Sequence, residues 1–334
     1  MTDREAVFLE KLARTGLWQL PGLLQALPDE TARLSRLCYA ASPAGDWLDT
    51  PPEVFFSCAA HARYLRENVS WTRALPEPLF LAYVLHPRVN NEALCDCRPV
   101  FYAALAERLR GLPEEAAILE INRWCAEHVA YQPTDERTRS ALAVLRAGFG
   151  RCGEESMFAV NVLRACGFAA RQVYVPRWAH CDDNHAWVEV RCGGAWHFLG
   201  ACEPEAVLDR GWFNSAAGRA VLVHSRCFGE PEPGADLIGR EGDVVYCNET
   251  ARYADVRRLT VRVTDGNGVP AAGANVDFCV LNNCEWYPAA TVQTDASGMA
   301  ALTCGLGSLR LLARRDGLCC EAFVSPEETG PVVL

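Results

Sequence analysis

The chain is 334 residues long, half of them hydrophobic and 22% charged, with a formal net charge of −10 at pH 7. That length predicts two or three domains of roughly 100–200 residues each, and the composition supports an extensive core and excludes wholesale disorder. The acidic balance, with no clustered Lys/Arg face, argues against a nucleic-acid or anionic-membrane partner, because both require a basic surface.

The opening "MTDREAVFLEKLARTG" has no apolar segment of the kind that begins a signal peptide, so a cytoplasmic location is expected. No apolar run approaches the roughly 18 residues of a membrane span, and "LFLAYVL" (79–85) is too short. The 17 cysteines are odd in number and irregularly spaced. In a chain this large they read as small buried hydrophobes in a reducing compartment rather than a disulfide framework. Their only tight spacings are Cys95-Asp-Cys97 and Cys319-Cys320, with no pair of CxxC knuckles. A structural zinc site is therefore not expected, and no motif calls for a metal or a cofactor.

Residues 1–112 read as a helical region. "DETARLSRLCYAA" (29–41) opens on acidic residues, "PPEVFFSCAAHARYLREN" (51–68) opens on prolines, and "RPVFYAALAERLRGL" (98–112) runs to a glycine with a proline beyond. The next unit spans 113–228 and begins with two more helical stretches, "PEEAAILEINRWCAEHVAY" (113–131) and "DERTRSALAVLRAGFG" (135–150). Another helix starts near Gly153 and closes at Gly167. Strand-like "ARQVYVPRW" (170–178) follows. "HAWVEVRC" (185–192) and "AWHFLGAC" (195–202) flank Gly193-Gly194, the signature of a hairpin. Residues 229–258, rich in Gly, Pro and Glu, read as a connector. From 259 to 334 short alternating strands are separated by turns at 265–268, 295–298 and 316–317, as in a β-sandwich.

Cys152 sits at a predicted helix start, where unpaired N–H groups and the helix dipole favour a thiolate. His185 opens a strand 33 residues later, preceded by "CDDN", and would take and return the thiol proton. Glu203, Glu205 and Asp209 follow the next strand and are candidates to orient the imidazole. His180 is the competing histidine. Cys181 and Cys202 are expected near the site, and Trp187 and Trp196 as core aromatics of the sheet. Trp178 and Asn184 are candidate walls of a cleft, and Trp124 a cleft aromatic beside the oxyanion.

Together, "GFGRCGEESMFAVNVLRACGFAARQVYVP" and "NHAWVEVRCGGAWHFLGACEP" resemble the core of the transglutaminase-like superfamily over roughly residues 118–213. The likeness lies in Cys152, "LRACGF", "HAWVEV" and Trp196 in order and at the expected separations. It implies an α+β, papain-like core with the nucleophile helix on an antiparallel sheet. It also implies acyl transfer through a thioester, with Cys152 as nucleophile and His185 as base then acid. The family pattern places an aspartate four residues after the strand tryptophan, and here that position is Gly200. Glu203, before Pro204, is the residue expected to serve in its place. The implied partners are peptide, isopeptide or glycan-linked amide substrates, and hydrolysis is favoured over transfer to an amine. The alternative is a catalytically inactive binding module on the same fold. The C-terminal strands resemble, more loosely, immunoglobulin-like or carboxypeptidase-regulatory-like sandwiches of bacterial enzymes.

Overall fold

The computed structural model describes residues 3–135, 137–328 and 330–334. The N-terminal region is helical, with its principal helices at Asp3–Thr15, Asp29–Ala41 and Pro52–Asn68. Arg98–Leu105, Glu114–His128 and Ala141–Ala147 then lead to the helix Cys152–Ala165. The stretch 135–150 was expected to be helical as a whole. Instead the helix begins only after Ser140, whose side chain accepts the Ala143 N–H, and Gly148 at φ 74° ends it. Among the described residues no helix is long and apolar enough to cross a membrane.

Two short parallel strands, β1 (Ala130–Tyr131) and β2 (Phe149–Gly150), lead into the central helix. The central sheet is built from β3 (Ala170–Val175), β4 (His185–Cys192), β5 (Ala195–Leu199), β6 (His224–Phe228), β7 (Leu237–Glu241) and β8 (Val244–Asn248). Their order is β5-β4-β3-β6-β8-β7, antiparallel throughout. The region 229–258, expected to be a connector, thus supplies two strands of this sheet. Its prolines and two of its glycines precede β7, Gly239 lies in β7 and Gly242 in the turn to β8, while Val245 and Cys247 alternate into the core. β4 and β5 turn on Gly193-Gly194, both at positive φ, as the sequence predicts.

Helix Cys152–Ala165 is buried along nearly its whole length. One side meets Val188, Val190 and Leu199 of the sheet, and the other meets Phe101, Ile121 and Val144 of the flanking helices. Alternate residues of β3 and β4 point to the opposite face, where charge is buried. Arg171 pairs with Glu189 at 2.6 Å and with Glu249 at 2.7 Å, and Arg252 reaches Glu189 at 2.7 Å. The Arg171 guanidinium also lies over the Trp196 ring, 4.2 Å from its centroid. Tyr253 donates to Glu189 at 2.6 Å and accepts from Trp187 Nε1 at 3.0 Å. Burial opposes the ionised form of Glu189, but Arg171 and Arg252 outweigh it and hold the carboxyl below its ordinary value.

Residues 259–334 form two packed sheets. One has the order β11-β10-β13-β14, from β10 (Asn275–Asn282), β11 (Glu285–Gln293), β13 (Leu309–Arg315) and β14 (Leu318–Val324). The other has the order β12-β9-β15, from β9 (Val256–Arg262), β12 (Met299–Gly305) and β15 (Val332–Val333). Val261, Phe278, Leu302 and Leu311 fill the space between them. The sandwich is joined to the central domain without a gap: Val221 and Leu222 enter its core, and Gly305 N–H donates to Val221 O at 2.8 Å. The chains pass so closely that a Cβ at Gly305 would run into the Ala220 carbonyl.

Arg171→Leu removes the cation shared by two buried carboxylates and leaves Glu189 with the Arg252 cation alone, and the expected loss of stability is about 3–5 kcal/mol. A shift in the urea unfolding midpoint at constant slope measures it, and a loss under 1 kcal/mol would show that the network is dispensable.

Candidate active site

Cys152 is the first residue of its helix. At Gly150 a Cβ would lie 3.0 Å from Glu154 Cβ, so a glycine lets the chain approach the first helical turn. Glu154 turns back over that turn: its carboxylate accepts the Arg151 N–H at 3.3 Å, Arg139 Nε at 2.7 Å and Thr134 Oγ1 at 2.7 Å. From the sheet, Gln172 Nε2 donates to Gly153 O at 2.9 Å and to Ser156 Oγ at 2.7 Å, fixing the helix end against β3.

The Cys152 thiol is half-buried. Burial pushes it above the ordinary cysteine value. The N–H groups of Ala186 and Gly153 and the charge of Arg151 pull it down, and burial outweighs them. The helix start therefore does not yield the resting thiolate expected from sequence. The desolvation cost of a thiolate in this pocket exceeds what one helix end returns.

His185 is 8% exposed. Its ring lies among Trp212, Phe213 and Trp187, at centroid distances of 4.8, 5.0 and 5.8 Å. Burial lowers its pKa to about 4, with Asp183 opposing, and its Nε2 has no hydrogen-bond partner. Among the described residues no hydrogen bond joins Cys152 Sγ to the His185 ring. The Ala186 N–H, one residue from His185, is among the groups that lower the thiol's pKa.

Glu203 occupies the space of the absent side chain at position 200. A Cβ built on Gly200 would fall on the Glu203 carboxylate and lie 3.0 Å from Glu203 Cβ. Cys202, at φ 60°, folds the chain back, and Asn122 fastens the turn. Asn122 Nδ2 donates to Gly200 O at 2.9 Å and Glu203 O at 3.2 Å, and its Oδ1 accepts the Cys202 N–H at 3.0 Å. Both Glu203 oxygens accept from Trp212 Nε1 at 3.0 Å, so Trp212 stands between the carboxylate and the imidazole. The other acidic candidates are engaged elsewhere. Asp209 binds His197 Nδ1 at 2.6 Å and the Phe198 N–H at 2.9 Å, and Glu205 pairs with Arg210 at 3.5 Å.

Trp124 and Trp178, expected at the cleft, are 5% and 3% exposed. Trp124 packs on His128, Phe101 and Phe158, and Trp178 shares a cluster with Val173, Trp187 and Phe213. Both are held by apolar neighbours, so neither offers a face to substrate. Trp187 and Trp196 are buried, Asn184 is exposed beside His185, and His180 is exposed near Trp178. Cys181 is exposed and Cys202 half-buried. The aromatic surfaces that remain open are Trp212 (67% exposed) and Tyr131 (64%), the latter close enough to feel the charge of Cys152 and Asp183. Glu155, one turn behind Cys152 and buried, is pushed up to about 8 by burial, with Glu203 and Glu154 adding to the effect. Glu155 stands inside the stretch that carries Cys152 and Tyr131 closes the helical stretch 113–131, but nothing in their patterns marks them as site residues. The only signal for Trp212 is its place beside Phe213 at the end of the motif-bearing segment.

Residues 103–201 match the transglutaminase-like superfamily, a segment that carries both Cys152 and His185. No match is found among curated proteins. Among solved structures the chain is similar to one described as a "putative cysteine protease" from Cytophaga hutchinsonii, at 15% identity and a TM-score of 0.32. That likeness covers 56% of this chain and 68% of the other.

The burial of His185 sets a testable pH range. Because its folded pKa is lowered, the ring is neutral through neutral pH and charges only as pH falls through about 4. An NMR titration of the histidine Cε1–H signals, assigned with His185→Gln, is expected to give that midpoint. A midpoint between 6 and 7 would show that water reaches the ring.

Proposed function

We propose that the chain is a thiol-dependent acyl-transfer enzyme that hydrolyses peptide, isopeptide or glycan-linked amide bonds. The observation that carries this reading is a half-buried thiol at the start of a helix, whose pKa is lowered by the N–H of Ala186, the neighbour of a buried histidine with an unused Nε2. A neutral thiol and a neutral imidazole suit general-base catalysis, in which proton transfer accompanies attack. Cys152 Sγ would attack the amide carbonyl carbon while His185 takes the thiol proton. Collapse of the tetrahedral adduct breaks the C–N bond, and the leaving nitrogen receives that proton from the imidazolium. Water, deprotonated by His185, then attacks the thioester and releases the carboxylic acid and the Cys152 thiol. The Cys152 N–H at the helix end is the natural donor to the oxyanion. The Glu203 carboxylate, lying where position 200 carries no side chain, would act on the imidazole through Trp212, from whose Nε1 it accepts a hydrogen bond and whose ring packs on His185. The exposed rings of Tyr131 and Trp212 would flank the acyl donor.

The second reading is an inactive binding module. It is favoured by one observation: the His185 ring is packed against aromatics and makes no hydrogen bond to the thiol.

Acylation by p-nitrophenyl acetate separates the two readings. It is read as p-nitrophenol release and as acetyl on the tryptic peptide 152–164, in which Cys152 is the only cysteine. The enzyme reading expects acylation faster than that of free cysteine, no label in Cys152→Ala, and a loss of roughly 10²–10⁴-fold in His185→Ala. Glu203→Gln, which bears on His185 only through Trp212, is expected to fall less than His185→Ala. Wild-type acylation no faster than free cysteine and indifferent to His185→Ala would establish the inactive module.

A further inference from the structure

The loop at 176–184 delivers His185 to the site, and it is organised by a residue of the β-sandwich. Asn282, at the end of β10, is fully buried. Its amide Nδ2 meets three carbonyls of that loop: Cys181 O at 2.8 Å, Trp178 O at 3.0 Å and Asp183 O at 3.2 Å. The loop closes on itself around this amide, with Trp178 N–H donating to Asp183 O at 3.0 Å and Asp183 N–H to Cys181 O at 2.9 Å. Three convergent carbonyls repel one another unless a donor lies between them, and nothing else shown in the structure serves all three.

The neighbouring residues extend the same contact. Asn283 and Cys284, at φ 49° and 61°, form the two-residue turn between β10 and β11. That turn aims the Asn283 N–H at the Asp182 carboxylate, 2.6 Å away. At the start of the loop, the Arg177 guanidinium lies 4.5 Å from the centroid of Tyr287 on β11. One hairpin of the sandwich therefore touches the loop at both ends and in the middle.

We propose that Asn282 is a positioning residue for His185, and that the β-sandwich is thereby a working part of the active site. The proposal rests on the acyl-transfer reading above. Asn282 touches neither thiol nor imidazole. It acts by fixing the backbone two residues before His185, from which the ring must meet Cys152. The rest of the sandwich contributes by holding the β10–β11 hairpin still.

The test measures acylation of Cys152 by p-nitrophenyl acetate in the full chain, followed across pH on peptide 152–164. Asn282→Ala is expected to slow acylation by about 10²-fold, the scale of an ångström-size misplacement, and to move the pH profile toward that of His185→Ala. Val276→Ala is the control, since Val276 is buried in the sandwich core and does not contact the loop. It should lower the unfolding temperature and leave both the rate and the pH profile in place. Asp182→Ala, which removes only the outer contact, should slow acylation several-fold in the same direction. It serves as the test if Asn282→Ala fails to fold. The inference is overturned if His185→Ala changes the profile while Asn282→Ala behaves as Val276→Ala does, or if Asn282→Ala does not fold and Asp182→Ala matches wild type. If His185→Ala itself leaves the rate and profile unchanged, the acyl-transfer reading falls and takes this inference with it, a result distinct from either of the others.

Discussion

The buried pairing of Arg171 with Glu189 is the constraint on which the remaining architecture depends. Glu189 is the acidic residue of "HAWVEV", and the structure gives it a role in the sheet interior rather than in the cleft. Charges buried this deeply persist only where every oxygen finds a donor. Arg171 supplies one side, Arg252 and Tyr253 the other, and Ser225 together with Arg171 satisfies Glu249. Those partners belong to β3, β4, β6 and the segment after β8, so satisfying one carboxylate sets the neighbours of half the sheet. Trp187, between Glu189 and His185 on the same strand, joins the network through Tyr253 and supports the imidazole from below. The register that pairs Arg171 with Glu189 also pairs Val175 with His185. A one-residue slip would turn His185 to the other face and break the ion pair together.

Burial also decides the chemistry available to the site. It raises Cys152, lowers His185 and raises Glu203 and Glu155, in each case as the largest effect and in each case toward the neutral form. The opposing contributions are local: two backbone N–H groups and Arg151 at the thiol, Asp183 at the imidazole, and Trp212 at Glu203. A site arranged in this way holds the thiol and the imidazole uncharged at rest. Charge would develop only as the thiol is deprotonated during attack, which places the electrostatic demand on the transition state.

Much of this was readable from sequence wherever a residue's role follows from its own position in the chain. Cys152 and His185 stand in short, dense patterns. The Gly193-Gly194 and Asp316-Gly317 turns carry residues that accept positive φ at little cost. The α+β class follows from the order of helical and alternating stretches. What was not readable depends on which face or which distant neighbour a side chain meets. Periodicity could not tell that Trp124 and Trp178 face apolar clusters while Trp212 faces solvent. The Asn283-Cys284 turn has no glycine to announce it, so the hairpin that reaches the 176–184 loop was invisible. Residues 229–258 looked like a linker because their turn residues crowd around two short strands, which pair with each other and join the sheet through β8 on the more distant β6. Glu203 was legible as a candidate, but its carboxylate fills the space at Gly200 only because Cys202 takes a left-handed conformation and Asn122 holds the turn.

The same device recurs at each of the three segments that carry the candidate triad. Gln172 binds the end of the helix that holds Cys152, Asn122 binds the turn that holds Glu203, and Asn282 binds the loop that holds His185. Each of the three is almost fully buried, and each comes from a different element: a sheet strand, a flanking helix and the sandwich. A primary amide suits this task because it donates to carbonyls and, where needed, accepts from an N–H, without carrying a charge that burial would penalise. A lysine or arginine in these positions would add a fixed charge beside groups that burial keeps neutral. A hydroxyl has one hydrogen and could not serve two carbonyls. Three separate segments are thus fixed by neutral donors. The geometry of the site is set by the meeting of helix, sheet and sandwich rather than by any one of them.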